Sequence, residues 1–260
     1  MITSMENQQV KEARKLQRRR YRERSGTLLI EGLRLVRDAL QSGVQIEKLF
    51  YAPTMVAGNQ PLLKLIDHCG AANIPLLACT DEVFVTLAET VTPQGIAAVT
   101  ALPVLPLPTP CHFTLILDRV RDPGNAGTLV RTAEAVGIDA VFFGPDTVDP
   151  FNDKVVRAGM GGHFRLPIRN CATWSAIQPL LDPAQVLYLA QANAPLCYTE
   201  VDWRRPSALI VGGEAAGASA DAMSLARPIA IPMHGQVESL NAAIAGAVIL
   251  FEAARQRRLP

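Results

Sequence analysis

"LILDRVRDPGNAGTLVRTAEAVGIDAVFF", residues 115–143, reads as a strand, a turn, a helix and a second strand. The aliphatic run stops at Asp118, and the turn residues Asp122, Pro123 and Gly124 follow. Asn125 takes the N-cap position of a helix that runs to about Val136, and Gly137 closes it. At about 100° per residue, Leu129, Ala133 and Val136 fall on one inward stripe. Arg131 lies about 200° from Leu129, so it points away from the core while staying close to the turn. Spacing alone fits an outward arginine paired with an acid such as Glu134 equally well.

The same rhythm continues on both sides. The strands "FTLILD" and "AVFFG" of this stretch are followed by "VLYLA", "ALIVGG" and "PIAIPM", which predicts a mainly parallel α/β sheet. Upstream, "TLLIEG", "IEKLFYA", "IPLLACT" and "GIAAVT" alternate with the amphipathic pieces "GLRLVRDALQSG" and "PLLKLIDHCG", as in a smaller α/β domain. Between them, "ALPVLPLPTP", residues 101–110, has four prolines and no charge. Proline at that density cannot sit inside a helix or a central strand, so this is an extended linker.

A chain of 260 residues is long enough for one large domain or two ordinary ones. Lys+Arg total 25 against 24 Asp+Glu, so any surface for a polyanion must come from local clustering. The cluster lies at the front, in "KEARKLQRRRYRERSG": Lys11, Arg14, Lys15, Arg18, Arg19, Arg20, Arg22 and Arg24 against Glu12 and Glu23. On a helix these cations would cover most of the circumference, which suits phosphate contacts better than folding back on a core. A solvated terminus that binds nothing fits a charge run alone. The predominance of arginine, whose fork matches phosphate oxygens and stacks on bases, favours RNA or DNA.

The longest apolar stretch, Ala242 to Phe251, falls short of the roughly 20 residues of a membrane-spanning helix. The first residues, "MITSMENQQVKEARKLQRRR", have no apolar signal core and do not read as a secretory leader. The five cysteines, Cys69, Cys79, Cys111, Cys171 and Cys197, are odd in number and form no C-x-x-C pair, which argues against a disulfide framework or a zinc site. A soluble protein of a reducing compartment is expected. None of His68, His112, His163 or His234 has a triad partner in sequence.

Two further stretches carry chemistry. In "ALIVGGEAAG", residues 208–217, Glu214 stands where the central glycine of a dinucleotide fingerprint would let a pyrophosphate approach. A carboxylate there repels a diphosphate and suits a ligand without phosphate, or one with positive charge. An ordinary glycine-bearing strand exit would also look like this. "IPMHGQVESLNAAIAGAVILFEAARQRR", residues 231–258, leads from a strand end at Ile231 to Met233 through a loop to Ser239, Leu240 and Asn241, and then into a helix. There Leu240, Ile244, Val248 and Phe251 recur at near-helical spacing and predict a packed face. Gly246 weakens a helix by about 1 kcal/mol relative to alanine, which points to close approach by a ligand or another helix. Ser239 can cap this helix.

Together, "NAGTLVRTAEAVG", "GGEAAG" and "IPMHGQVESLNAAIAGAVILFE" resemble the motifs of the SpoU family of RNA ribose 2'-O-methyltransferases, within the SPOUT superfamily. The likeness spans residues 115–256, and "DPFNDKVVRAGMGGHFRLPI" resembles the family's intervening region. The sequence departs from the family pattern at Gly159, where serine is usual, at Asp153, where proline is, and at Ala242, where valine is commoner.

The resemblance implies an α/β architecture. A C-terminal trefoil-knot domain would occupy residues 112–260, and a proline-rich linker residues 103–111. A smaller N-terminal, ribosomal-protein-like domain at 1–102 would bind RNA, with Arg14, Arg18, Arg19, Arg20 and Arg22 as its contacts. S-adenosylmethionine would bind in a bent form at Gly212, Ile231, Met233 and Leu240. Arg131 would stabilise the ribose oxygen, Asn125 and Glu214 would hold Arg131, and Ser239 and Asn241 would orient the sugar and the loop. A cytoplasmic homodimer acting on ribosomal rather than transfer RNA is the expectation. The alternatives from other classes are a nicotinamide-dependent dehydrogenase, against which Glu214 argues, and a noncatalytic RNA-binding protein of the same fold.

Overall fold

The structure, a computed structural model, describes residues 1–214 and 217–258. The chain divides into two compact units. The first comprises Met1–Pro103 together with Phe151–Phe164, and the second Val104–Pro150 and the chain from Arg165 onward.

The first unit is built on a four-stranded sheet of β1 (Thr27–Glu31), β2 (Ile46–Tyr51), β3 (Leu76–Ala78) and β4 (Ile96–Ala101), in the order β1-β4-β2-β3. β4 runs antiparallel to both β1 and β2, and β3 parallel to β2. Central β4 sends Ile96 and Ala98 into one core and Ala97 and Val99 into another, as the two-residue period of a strand buried on both faces requires. The first core is closed by the helices Leu33–Gln41 and Gln60–Ala71, and also by Phe151, Val156 and Phe164. The segment 151–164, which the linker-based boundary put in the second domain, therefore packs with the first unit. Within it the buried His163 ring lies 2.7 Å from where a Cβ on Gly159 would stand, so a serine there would not fit without moving the ring.

The basic front end does fold back on this unit, contrary to the expectation from charge. It breaks into two short helices, Gln8–Lys15 and Arg19–Ser25, and Val10, Ala13 and Leu16 form a stripe that joins the second core. A three-residue spacing of small apolar groups within a charge run is enough to dock a helix. Arg22 is also turned inward. It is 4% exposed and donates from Nη1 to the Leu16 and Gln17 carbonyls at 2.7 and 3.0 Å, so it holds the two helices together and is not a free phosphate contact. Arg14, Arg18, Arg19 and Arg20 are exposed, Arg19 in an ion pair with Glu23.

The second unit has seven parallel strands: β5 (Phe113–Asp118), β6 (Ala140–Phe143), β7 (Ile168–Asn170), β8 (Val186–Ala190), β9 (Leu196–Cys197), β10 (Ser207–Gly212) and β11 (Arg227–Ala230). Their order is β7-β6-β5-β10-β8-β11-β9. The two edge strands, β7 and β9, have three and two residues and no apolar run to announce them. β11 stops at Ala230, short of the predicted Met233, because Pro232 has no N–H for a ladder.

Helix Pro123–Val136 buries Leu129, Ala133 and Val136 as expected, but its N-cap is Asp122, whose side chain accepts from the Asn125 N–H at 2.7 Å. Pro123 at the first helical position fixes that start two residues before the predicted cap. The last helix, Ala242–Arg258, lies against it, and a Cβ on Gly246 would come 2.4 Å from Leu129 Cδ2. The buried face of this helix is Ala242, Ala243, Gly246, Ile249 and Leu250 with the alanines that follow. Leu240, Ile244, Val248 and Phe251, predicted to be packed, are 38, 56, 37 and 54% exposed. Small residues allow the closer approach, so they take the inner face and leave the bulky stripe outside. Among the described residues no helix is long and apolar enough to cross a membrane.

Candidate active site

The site forms at the carboxyl ends of the central strands. β5 and β10 are neighbours in register, with Asp118 beside Gly212, so the exits of two distant motifs leave the sheet side by side. After Gly212 the chain turns back on itself, the Gly217 N–H donating to the Gly213 carbonyl at 2.9 Å. Only glycine fits at 213, because a Cβ would stand 2.1 Å from the Arg119 carbonyl oxygen. This contact holds Gly213, the residue before Glu214, against the exit of β5. Two residues of that loop, Ala215 and Ala216, lie outside the described residues.

With Asp122 as the cap, the Asn125 side chain is free to reach across. Its Nδ2 donates to Glu214 Oε1, and its Oδ1 accepts from Asn241 Nδ2 at 3.0 Å. Asn241 Oδ1 accepts from the Ala243 and Ile244 N–H groups at 2.9 and 3.2 Å. Asn241, rather than Ser239, thus caps the last helix, and Ser239 is left to line the adjoining cavity.

That cavity has a volume of about 500 Å³, the size of a small-molecule or cofactor pocket. Gly212, Ile231, Met233 and Leu240, expected to hold the cofactor, all line it, and so do Glu214, Ser239 and Asn241. Gln191 and Ala192, just beyond β8, and Met223 also line it, and no sequence motif marks them. Their place depends on β8 lying beside β10, a pairing no local pattern announces. Among the described lining residues there is no lysine, arginine or histidine, and Glu214 is the only acid. A diphosphate would find no cation here. A ligand with an apolar body and a positive centre finds packing surface and a carboxylate, so the residues fit S-adenosylmethionine.

Arg131 stands apart. It is exposed, lines no part of the cavity and makes no hydrogen bond or ion pair with a described residue. The expected grip of Asn125 and Glu214 on Arg131 is not made in this chain, because positions 125 and 131 are about 120° apart around the helix and Asn125 is engaged by Glu214 and Asn241. Nor does Arg131 pair with Glu134, which binds Arg165 at 2.6 Å.

A sequence model of the SpoU rRNA Methylase family matches residues 112–251, and one of the MRM3-like substrate binding domain matches residues 7–98. The chain belongs to the SpoU rRNA methylase family. This SpoU chain is 37% identical over 256 residues to 23S rRNA (guanosine(2553)-2'-O)-methyltransferase RlmP of Bacillus subtilis, covering 96% of this chain and 97% of that one. It is 31% identical to the mouse mitochondrial rRNA methyltransferase 3, covering 93% of this chain and 70% of the other. Among solved structures, an AdoMet-bound rRNA methyltransferase from Sinorhizobium meliloti superposes with a TM-score of 0.83 at 32% identity, covering 98% and 97% of the two chains. The SpoU fold class expected from the motifs, an α/β SPOUT domain behind a smaller N-terminal substrate-binding domain, is the one found.

Proposed function

We propose that the chain transfers a methyl group from S-adenosylmethionine to the 2'-hydroxyl of a ribose in structured RNA, ribosomal RNA before transfer RNA. One observation carries this reading: the cavity at the strand ends has a carboxylate held by Asn125, which Asn241 holds in turn, and no cation among its described lining residues. S-adenosylmethionine, when bound, supplies an electrophilic methyl on a positively charged sulfur. The chain must hold a ribose oxygen roughly 3 to 3.5 Å from that carbon and in line with it. Backbone at Gly212, Ile231, Met233 and Leu240 grips the donor, Glu214 complements its charge, and Ser239 and Asn241 orient the sugar.

Arg131 lies outside the cavity of this chain and would meet the oxygen that becomes alkoxide-like only once RNA is bound across the exposed face of its helix. A fixed cation beside developing negative charge is a strong stabilising device, whereas a guanidinium has donors only and is a poor proton acceptor. An RNA phosphate completes its surroundings. The protein acts as a homodimer in the cytoplasm. The exposed stripe of Ile244, Val248 and Phe251 on the last helix supports a subunit contact, since an apolar row of this kind is normally covered. The exposed cations Arg14, Arg18, Arg19 and Arg20 contact RNA phosphates.

Two measurements test the proposal. Calorimetry on adding S-adenosylmethionine or S-adenosylhomocysteine should show binding. Ribose-methylation maps of RNA from cells with and without the protein should differ at a discrete site. Silence in both would refute it, and binding with identical maps would favour a noncatalytic RNA-binding protein.

A further inference from the structure

Asp118 is a carboxylate with no exposure at the end of β5, and it does not line the cavity. Three donors converge on it. Ser219 N–H reaches Oδ1 at 2.8 Å, and Ser219 Oγ and Trp174 Nε1 both reach Oδ2 at 2.7 Å. The indole N–H also lies 3.0 Å from Ser219 Oγ. Ser219 in turn accepts from the Ala222 N–H at 3.2 Å and so caps the helix Ala220–Leu225, which brings Met223 to the cavity wall.

These bonds fall on the way out of the Glu214 loop. At its start, Gly213 is pressed against the carbonyl of Arg119, the residue after Asp118. At its end, Gly217 and Ala218 line the cavity, and Ser219 is the next residue. Both ends of the loop are therefore fixed to two consecutive residues at the end of β5. Loosening the Ser219 end frees Gly217, Ala218 and Met223 together, while Gly213 keeps its contact.

We infer that Asp118, with Ser219 and Trp174, is a positioning set that holds Gly217, Ala218 and the Met223 helix in the geometry that binds the methyl donor. The inference rests on the proposed donor site. The alternative is a carboxylate that only contributes stability, like many buried and fully hydrogen-bonded groups. The two differ in what its loss does to a folded molecule.

The test measures the Kd of S-adenosylhomocysteine by calorimetry, well below the unfolding midpoint, for wild type, Ser219→Ala, Ser219→Thr, Trp174→Phe and Trp203→Phe. Trp203→Phe is the matched control, because it also deletes a buried indole donor of the same unit, the one to the Tyr198 carbonyl. Ser219→Ala and Trp174→Phe should raise Kd by about tenfold, the order expected for one lost hydrogen bond to a charged group. Ser219→Thr, which keeps the hydroxyl, should stay near wild type, and so should Trp203→Phe despite a lower midpoint. A Kd within about twofold of wild type for folded Ser219→Ala and Trp174→Phe, or an equal rise in Trp203→Phe, overturns the inference. If wild type itself gives no heat, the donor site fails and the inference falls with it.

Discussion

Replacing Gly246 by alanine sets two effects of known sign against each other. In an open helix the change stabilises by about 1 kcal/mol, because alanine loses less backbone entropy. Here the new methyl would stand 2.4 Å from Leu129 Cδ2 and 3.3 Å from Val211 Cγ2, and both side chains are almost wholly buried. A relaxed carbon–carbon contact needs about 3.5 Å or more, so the helices must separate or Leu129 must leave its rotamer. Overpacking of this kind costs about 1–3 kcal/mol, so the net change is a loss of roughly 0–2 kcal/mol. Leu129→Ala alone should cost about 2–5 kcal/mol. In the Leu129→Ala background the clash is gone, and Gly246→Ala should then stabilise by about 1 kcal/mol. The coupling between the two sites is therefore about 1–3 kcal/mol. Urea unfolding followed by tryptophan fluorescence measures it, since both tryptophans, Trp174 and Trp203, are buried in the second unit. The same separation would stretch the Asn241–Asn125 bond, so donor affinity should fall with stability. A midpoint that rises in Gly246→Ala, or additivity within about 0.5 kcal/mol, refutes the reasoning.

Glu214→Gln keeps the shape and the acceptor for Asn125 but removes the charge. It should weaken S-adenosylmethionine by about fivefold, the effect of a solvent-screened charge near the sulfur, and leave neutral S-adenosylhomocysteine nearly unchanged; calorimetry with both ligands decides. Arg22→Ala should destabilise the first unit by about 2 kcal/mol or more, since it strips donors from buried carbonyls, and hydrogen exchange of the β1 amides reads this out. Arg20→Ala should leave that exchange unaltered but make the dependence of RNA affinity on salt shallower by about one unit of log–log slope. Burial and the nearby carboxylates of Asp153 and Glu31 push the Glu89 carboxyl above its usual range, against the pull of Arg157 and Lys154. A raised carboxyl pKa lowers stability once pH exceeds it, so Glu89→Gln should raise Tm at neutral pH. The gain should vanish below about pH 4, and equal gains at both pH values would contradict it.

The sheets were legible because they rest on local periodicity: runs such as "FTLILD" and "GIAAVT" announce strands wherever they lie. Local pattern misleads where two signals compete. Asn125 is a good cap residue, but Asp122 before Pro123 is a better start, and choosing correctly frees the Asn125 amide for Glu214. In the last helix both faces are apolar, so spacing could not say whether Leu240, Ile244, Val248 and Phe251 or the alanines face inward; the fit of Gly246 over Leu129 decides it. Arg22 lies among seven other cations in the sequence, yet its side chain donates to carbonyls five and six residues back, reached because the chain breaks into two helices. The meeting of Asn125, Glu214 and Asn241 follows from β5 lying beside β10, a long-range pairing. Only the family resemblance pointed to it.

The direction of the hydrogen bonds at that meeting point can be worked out from the last helix. Asn241 Oδ1 is fixed as an acceptor because the two N–H groups of the first turn point at it. Its other end, the Nδ2 donor, must then face Asn125. Asn125 is obliged to present its oxygen to that donor, which turns its own Nδ2 towards Glu214. No amide in this series can flip without setting two donors or two acceptors against each other, so the ambiguity usual for asparagine is removed. The series ends on a Glu214 oxygen that accepts from Asn125 at the cavity wall. Two first-turn N–H groups of a helix N-terminus that would ordinarily attract an anion orient a negative charge through the two asparagines instead. That reversal is why this glycine-rich strand exit suits a sulfonium and not a diphosphate.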